Sequence, residues 1–308
     1  MTVLFKSDPA RGAEWKRLFA ERAPEIPFRV WPDIGDPAAV RVLVAWVPPD
    51  DIAETFPNLE VLFSSGMGVD QFDLATLPPH LPVVRMVERG IVDGMVEYAA
   101  MAVTALHRDL FAYQAQQRLG TWAPIRVRPA GAVRVGVLGL GVLGQAVSAN
   151  LARLGYDVAG WNRSERRIDG VAGYYGRDAL PAFLGRTDIL ICLLPLTAET
   201  RGILDADLLS RLPRGAKLVN VARGGHLDQA ALLAALDSGQ ISQAILDVTD
   251  PEPLPAEHPF WAHPRVLITP HIASMTQPET AVAATLENLR RHRAGEPMVG
   301  VVDRRRGY

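Results

Sequence analysis

Residues 133–164 read VRVGVLGLGVLGQAVSANLARLGYDVAGWNRS. Val133–Leu138 is a short apolar, β-branched run, the pattern of a parallel strand buried on both faces. It enters Gly139-Leu140-Gly141-Val142-Leu143-Gly144, a G-x-G-x-x-G. Val147, Leu151 and Leu154 follow at spacings of four and three, which predicts a helix, and Val158–Trp161 predicts a second strand. Each glycine has a task in such a unit. Gly139 permits a tight turn, Gly141 lets the backbone approach a pyrophosphate, and Gly144 lets the helix close on the strand. The N–H groups of Val142, Leu143 and Gly144 at the helix start can hold phosphate oxygens. Glycines also serve ordinary turns, but a G-x-G-x-x-G between a strand and a helix, with a second strand following, points to a dinucleotide site.

The end of the second strand bears on which dinucleotide. An NAD site usually places Asp or Glu about 20 residues along, to accept from the ribose 2′-hydroxyl. Here the strand ends in Trp161-Asn162-Arg163-Ser164, and Asp157 stands before the strand, on the wrong side. An Arg with small hydrogen-bonding neighbours suits a 2′-phosphate, which a guanidinium meets with two donors. A solvated charged loop is the alternative. The reading favours NADPH or NADP, with NADH less favoured.

Outward from this stretch, strands and helices alternate. Asp188–Leu194 reads as a strand ending at Pro195, Lys217–Val221 as one ending at Ala222-Arg223-Gly224-Gly225, Ile245–Val248 as a third, and Val266–Thr269 as one ending at Pro270-His271. Leu204–Leu212 and Gln229–Ser238 read as helices, the second stopped by Gly239. Such alternation implies a doubly wound parallel sheet, with ligands at the carboxyl ends of its strands. Residues 1–98 repeat the pattern, with strands at Val3–Lys6, Arg29–Trp31, Val42–Trp46 and Val61–Ser64 and a helix at Gly12–Arg22. Ser65-Gly66-Met67-Gly68 follows the last of these strands, and its amides form either a carboxylate nest or a plain turn. Ile91–Gln117 reads as one long helix stopped by Gly120, and Glu279–Ala294 as a final helix. The expected architecture is α/β, with two Rossmann-like, doubly wound parallel-sheet domains and an active site in the cleft between them. Residues 1–98 with 280–308 form a discontinuous substrate domain, and residues 99–279 the dinucleotide-binding domain.

Composition narrows the function classes. The chain has 308 residues, 48% of them hydrophobic, which suffices for two real cores. A formal net charge of −2 gives no electrostatic case for nucleic acid. The basic clusters Arg290-Arg291-His292-Arg293 and Arg304-Arg305-Arg306 read as a solvated helix end and a tail. The single cysteine, Cys192, falls in a buried strand, so no disulfide framework is expected and a reducing compartment fits. The start Met-Thr-Val-Leu-Phe-Lys is charged too soon for a signal peptide, and no apolar run is long enough to span a membrane. A soluble, cytoplasmic protein without a metal centre is expected.

Three residues could do chemistry. Arg223 ends a buried strand before two glycines, facing the ligand edge, or it pairs with a local acid for structure alone. His271 also ends a strand, as a proton donor or as a cap with no chemistry; the other histidines are assigned no role. Glu252, in Asp247-Val-Thr-Asp-Pro-Glu-Pro-Leu-Pro255, is aimed by flanking prolines or is simply an exposed acid. Together they suit reduction of a 2-keto acid. Arg223 would grip carboxylate and carbonyl, His271 would protonate the carbonyl oxygen, and Glu252 would hold the imidazole in its charged form.

These motifs, with Val221-Ala222-Arg223-Gly224, Asp247–Pro255 and Thr269-Pro270-His271-Ile272-Ala273, occur in the order of the D-2-hydroxyacid dehydrogenase family, which the chain resembles over nearly its full length. Within that family it is similar to the A-type glyoxylate/hydroxypyruvate reductases, through Trp161–Ser164, Ala45-Trp46, Gly66–Asp70, Glu97-Tyr98 and Asp303–Tyr308. The resemblance implies a catalytic set of Arg223, Glu252 and His271. It implies substrate contacts from Trp46, Met67, Gly68 and Arg223. It also implies cofactor contacts from Gly139, Gly141, Val142, Leu143, Gly144, Asn162, Arg163, Ser164, Pro195 and Asp247. It further implies NADPH-dependent reduction of glyoxylate or hydroxypyruvate, in a homodimer joined through the cofactor domain. The family commonly has an aromatic residue where Thr249 stands, which leaves pocket shape and substrate preference open, and a reductase of a bulkier 2-keto acid such as phenylpyruvate is the nearest alternative. A phosphoglycerate-type NAD enzyme fits less well, because no acid ends the second strand. An NADPH-sensing binding protein without catalysis is the alternative from another class.

Overall fold

The apolar runs resolve into two parallel sheets, in a computed structural model that describes residues 1–308. In the first, β1 (Thr2–Lys6), β2 (Phe28–Val30), β3 (Val40–Ala45), β4 (Val61–Ser64) and β5 (Val83–Val84) lie in the order β2-β1-β3-β4-β5. Helix α1 (Pro9–Arg22) begins where the Asp8 carboxylate accepts the Arg11 amide and a proline occupies the first turn. Its Trp15, Leu18 and Phe19 are buried, and the rings of Trp15 and Phe19 pack with those of Phe5 and Phe28. A single turn, α2 (Ile52–Thr55), precedes β4.

The sequence predicts one helix over Ile91–Gln117, but the structure has two, α3 (Arg89–His107) and α4 (Leu110–Arg118). They break at Asp109, which takes the left-handed conformation at φ 55°. The break is stabilised from far along the chain. Lys217 Nζ donates to the Leu106 carbonyl and, at 3.0 Å, to Asp109 Oδ1. A cation on the last carbonyls of a helix satisfies groups that would otherwise lack partners.

The second sheet comprises β6 (Arg134–Leu138), β7 (Asp157–Asn162), β8 (Ala172–Tyr175), β9 (Ile189–Cys192), β10 (Ala216–Asn220), β11 (Ile241–Leu246) and β12 (Val266–Ile268). Helices α5 (Val142–Arg153), α6 (Leu180–Gly185), α7 (Ala206–Ser210) and α8 (Gln229–Asp237) connect them. The order is β12-β11-β10-β9-β6-β7-β8, with every pairing parallel. Alternate residues of one strand serve two cores: Leu190 and Cys192 face one cluster, Ile189 and Ile191 the other. Burial on both faces is why these strands read as unbroken apolar runs. The chain moves outward from β6 through β7 to β8, then returns to β9 on the other side of β6. The carboxyl ends of β6 and β9 therefore flank the switch point where ligands of such sheets bind.

Two units result, Met1–Ile91 with Met275–Tyr308 and Val92–Ser274. The final helix, α9 (Pro278–Arg293), belongs to the first and lies against α1. The divisions fall at residues 91 and 274, where the sequence places them at 98 and 279. Met95 and Tyr98 pack in the second unit's core, and the Tyr98 hydroxyl bonds Thr269. Thr276 donates to the Ser65 carbonyl, and the Gln277 amide donates to Glu88, both in the first unit. No helix is long and apolar enough to cross a membrane.

Candidate active site

Gly139, just past β6, takes φ +99°. A Cβ on Gly144 would lie 1.8 Å from the Gly139 carbonyl oxygen, so only glycine lets α5 start this close to the loop. At Gly141 a Cβ would meet nothing within 4 Å, which leaves open space at the amino end of α5. No side chain caps that end, so the first amides of α5 face this space with the positive end of the helix dipole. Asn162 at the end of β7 accepts from the Leu140 amide at 3.4 Å and donates to the Ser164 carbonyl at 2.8 Å. It thereby ties the glycine loop to Arg163 and Ser164. The Arg163 guanidinium is exposed and lies 3.1 Å from Glu199. An open anion cradle followed by a side-chain cation one strand away fits a phosphorylated dinucleotide.

The chemical groups gather at the ends of β10, β11 and β12. Asn220 accepts from the Ala222 amide and donates to the Arg223 carbonyl at 3.0 Å, which shapes the turn that presents Arg223. Its guanidinium donates to the Ala222 carbonyl at 2.7 Å. A Cβ on Gly224 would lie 1.9 Å from the Thr249 carbonyl oxygen, so the absence of a side chain there brings the Glu252 loop against Arg223. Glu252 accepts from the Thr249 amide at 3.0 Å through one oxygen and bonds His271 Nδ1 at 2.9 Å through the other. Burial pushes the Glu252 carboxyl up. The bonds from His271 and Thr249, with the charges of His271 and Arg223, outweigh that and leave it below the ordinary value.

His271 sits at φ 55°, a left-handed conformation that costs a non-glycine residue roughly 1–3 kcal/mol. Asp247 holds it there. The Asp247 carbonyl accepts the His271 amide at 2.9 Å, and its 2%-exposed carboxyl accepts from Thr269 Oγ1 at 2.6 Å and from the Ile272 and Ala273 amides at 2.8 Å. Burial raises the Asp247 carboxyl despite these three donors. Asp247, expected from the sequence as a cofactor contact, thus acts within the chain as the anchor of the His271 corner. With Nδ1 held by Glu252, the other ring nitrogen of His271 is left for proton transfer.

The sequence reading assigned no role to His226. It is fully buried, with Nδ1 3.2 Å from the Arg223 amide and Nε2 3.2 Å from the Pro195 carbonyl. Its spacing of three from Arg223, the spacing of a capping box, was the available signal. In the first unit, Ser64 accepts from the Gly66 amide and donates to the Gly68 carbonyl at 2.7 Å. The Trp46 indole lies over Gly66, 3.1 Å from where a Cβ would stand. Trp46, Met67 and Gly68 therefore share one loop cluster at the ends of β3 and β4.

This geometry has counterparts. Residues 100–273 match the D-isomer specific 2-hydroxyacid dehydrogenase NAD binding domain. The chain belongs to the D-isomer specific 2-hydroxyacid dehydrogenase family. It is 39% identical over 314 residues, all of both chains, to glyoxylate/hydroxypyruvate reductase A of Yersinia enterocolitica. It is 42% identical, with a TM-score of 0.95, to a family member from Xanthobacter autotrophicus Py2 crystallised with NADPH and MES, covering 100% of this chain and 99% of that one. It is 36% identical, with a TM-score of 0.93, to the NADPH-dependent glyoxylate/hydroxypyruvate reductase of Sinorhizobium meliloti crystallised with NADP and sulfate, again over 100% and 99% of the two chains. Like its family, the chain is an oxidoreductase built on two parallel-sheet units.

Proposed function

We propose that this protein reduces a small 2-keto acid, glyoxylate or hydroxypyruvate, to the 2-hydroxy acid with NADPH. The observation that carries the reading is the 2.9 Å pair of His271 and Glu252 at the strand ends, beside Arg223. When bound, the nicotinamide supplies the hydride. His271 gives its proton to the carbonyl oxygen, and Glu252 orients the ring and favours its charged form. Arg223 grips the carboxylate and carbonyl oxygens, and the amides of Met67 and Gly68 take the outer carboxylate oxygen beside Trp46. Gly139, Gly141 and Gly144, with the amides of Val142 and Leu143, hold the pyrophosphate. Asn162, Arg163 and Ser164 hold the 2′-phosphate, while Pro195 and Asp247 lie toward the nicotinamide. The reading places the enzyme in the reducing cytoplasm, where Cys192 stays a thiol; burial pushes that thiol up to about 12.

The direct test is the initial rate of NADPH oxidation with glyoxylate, hydroxypyruvate and phenylpyruvate, repeated with NADH. The reading expects fast turnover of the two small acids, NADPH well ahead. Activity on phenylpyruvate alone moves the substrate to the bulky class, and NADPH binding without turnover of any keto acid makes the protein a sensor.

Arg163→Ala raises the KM for NADPH about tenfold or more and leaves that for NADH within about twofold, because only the phosphorylated cofactor loses a charge-assisted bond. Equal losses for both cofactors would remove Arg163 from the 2′-phosphate site.

The homodimer we propose joins through the second unit. No residue of α4 is buried, and Leu119 and Trp122 just beyond it are 79% and 99% exposed, which a monomer has no reason to maintain. Replacing both by Glu converts a dimer to a monomer in sedimentation equilibrium. A monomeric parent protein, or a dimer indifferent to the double change, rejects this surface.

A further inference from the structure

His226 spans two adjacent strand ends. Its Nδ1 lies 3.2 Å from the Arg223 amide nitrogen and 3.1 Å from the Arg223 carbonyl oxygen. That carbonyl already accepts from Asn220 Nδ2 at 3.0 Å and from the His226 amide at 3.2 Å, which fills both its lone pairs. Nδ1 is therefore the acceptor for the Arg223 N–H, and the ring proton sits on Nε2, which donates to the Pro195 carbonyl at 3.2 Å. Thr200 Oγ1 donates to the same carbonyl at 2.6 Å and accepts from the Thr197 amide, so the loop after β9 is folded onto the atom that His226 holds. The Gly202 and Leu204 amides donate to the Gly225 and His226 carbonyls, fastening the two loops along their length. An apolar side chain could fill the same buried space, but it would remove the acceptor from the Arg223 N–H and the donor from the Pro195 carbonyl.

We propose that His226 is a positioning residue that holds Arg223 in register with the Pro195 end of the cofactor site, and so couples the keto-acid grip to NADPH binding. The inference rests on the roles proposed above for Arg223 and Pro195. Both atoms that the ring bonds are backbone atoms of residues facing ligand, one on each of two neighbouring strand ends, and the ring fixes their separation.

Two substitutions divide the two bonds. His226→Asn offers an oxygen at the Nδ1 position and no donor to Pro195. It raises the Kd of NADPH, read by fluorescence, about tenfold and leaves the keto-acid KM within about twofold. His226→Gln reaches Pro195 with its amide nitrogen and removes the ring acceptor from the Arg223 N–H. It raises the keto-acid KM about tenfold and leaves the NADPH Kd within about twofold. Equal losses of both affinities in each variant, or no loss in either, overturn the proposal. The parent protein supplies a test that does not depend on variants folding. Nitrogen-15 chemical shifts should report a neutral Nε2–H tautomer for His226, and an Nδ1–H tautomer overturns the bond to Arg223. If the parent protein reduces no keto acid, the proposed function fails, while the tautomer still decides how the ring is bonded.

Discussion

His271→Asn lowers the reductive kcat about 10²–10⁴-fold and leaves the Kd of NADPH within about twofold. Asn is the appropriate probe because the position is left-handed, φ 55°, and Asn tolerates that conformation better than most residues. The corner held by Asp247 therefore survives, and the variant loses the proton donor rather than the fold. In the unaltered enzyme, reductive kcat/KM falls as pH rises, because the proton donor proposed for the carbonyl oxygen must carry its proton. The acid limb belongs to Glu252. Its carboxyl lies below the ordinary Glu value, so the pair persists through neutral pH and is lost only as pH falls through that lowered value. The same sign applies to folding: the pair's contribution is complete above the ordinary Glu range and disappears on acidification. Glu252→Gln removes the acid limb, since the carboxyl whose protonation breaks the pair is gone. A flat profile for the unaltered enzyme, with chemistry shown to be rate-limiting by a deuteride isotope effect, would falsify the role of His271. A His271→Asn variant within tenfold of the parent would assign the proton to water.

The cofactor half of this site was legible because its parts are contiguous. A strand, three glycines, a helix and a second strand occupy the 29 residues from Arg134 to Asn162, and each local preference agrees with the tertiary structure. The strand-end positions of Arg223 and His271 were legible for a related reason, since a parallel sheet puts the residues that end apolar runs at the ligand edge. What escaped depended on partners that only the folded chain brings together. The helical period runs straight through Asp109, and the break is held by Lys217 from far along the chain, so no pattern near the break announces it. Strand β8, Ala172-Gly173-Tyr174-Tyr175, is held at the edge of the sheet by pairing with β7 rather than by its own composition. Asp247 closes an apolar strand, and an acid there needs several donors, but which donors depends on the turn at His271. His226 carries no role in the sequence pattern, although a histidine three residues beyond a strand-end Arg is placed to bond that residue's own amide. For Asp247 the sequence shows an acid closing an apolar strand, and the structure supplies the donors.

Arg223→Gln lowers kcat/KM for the keto acid roughly 10²–10⁴-fold, the effect of losing two charge-assisted bonds at about 1.5–3 kcal/mol each. Arg223→Lys separates the two. An ammonium keeps a positive charge near the carboxylate but lacks the planar fork that also reaches the carbonyl oxygen. The carboxylate carries its charge in both ground state and transition state, so its bond appears in KM. The carbonyl oxygen gains negative charge only as the hydride arrives, so its bond appears in kcat. Arg223→Lys should therefore lower kcat about 10²-fold while raising KM only a few-fold, and Arg223→Gln should damage both. Neither variant should shift the Kd of NADPH more than about twofold, because the cofactor cradle proposed here lies at the glycine loop and the end of β7. The Gln variant carries a control for the neighbouring carboxylate. Arg223 contributes to keeping Glu252 below its ordinary value, so the acid limb of Arg223→Gln should move to higher pH. If the acid limb moves while the keto-acid KM does not, Arg223 serves Glu252 alone and the carboxylate of the substrate is held elsewhere. If the KM and kcat effects separate as stated and the acid limb moves as well, the same guanidinium binds the substrate and helps keep the Glu252 carboxyl below its ordinary value.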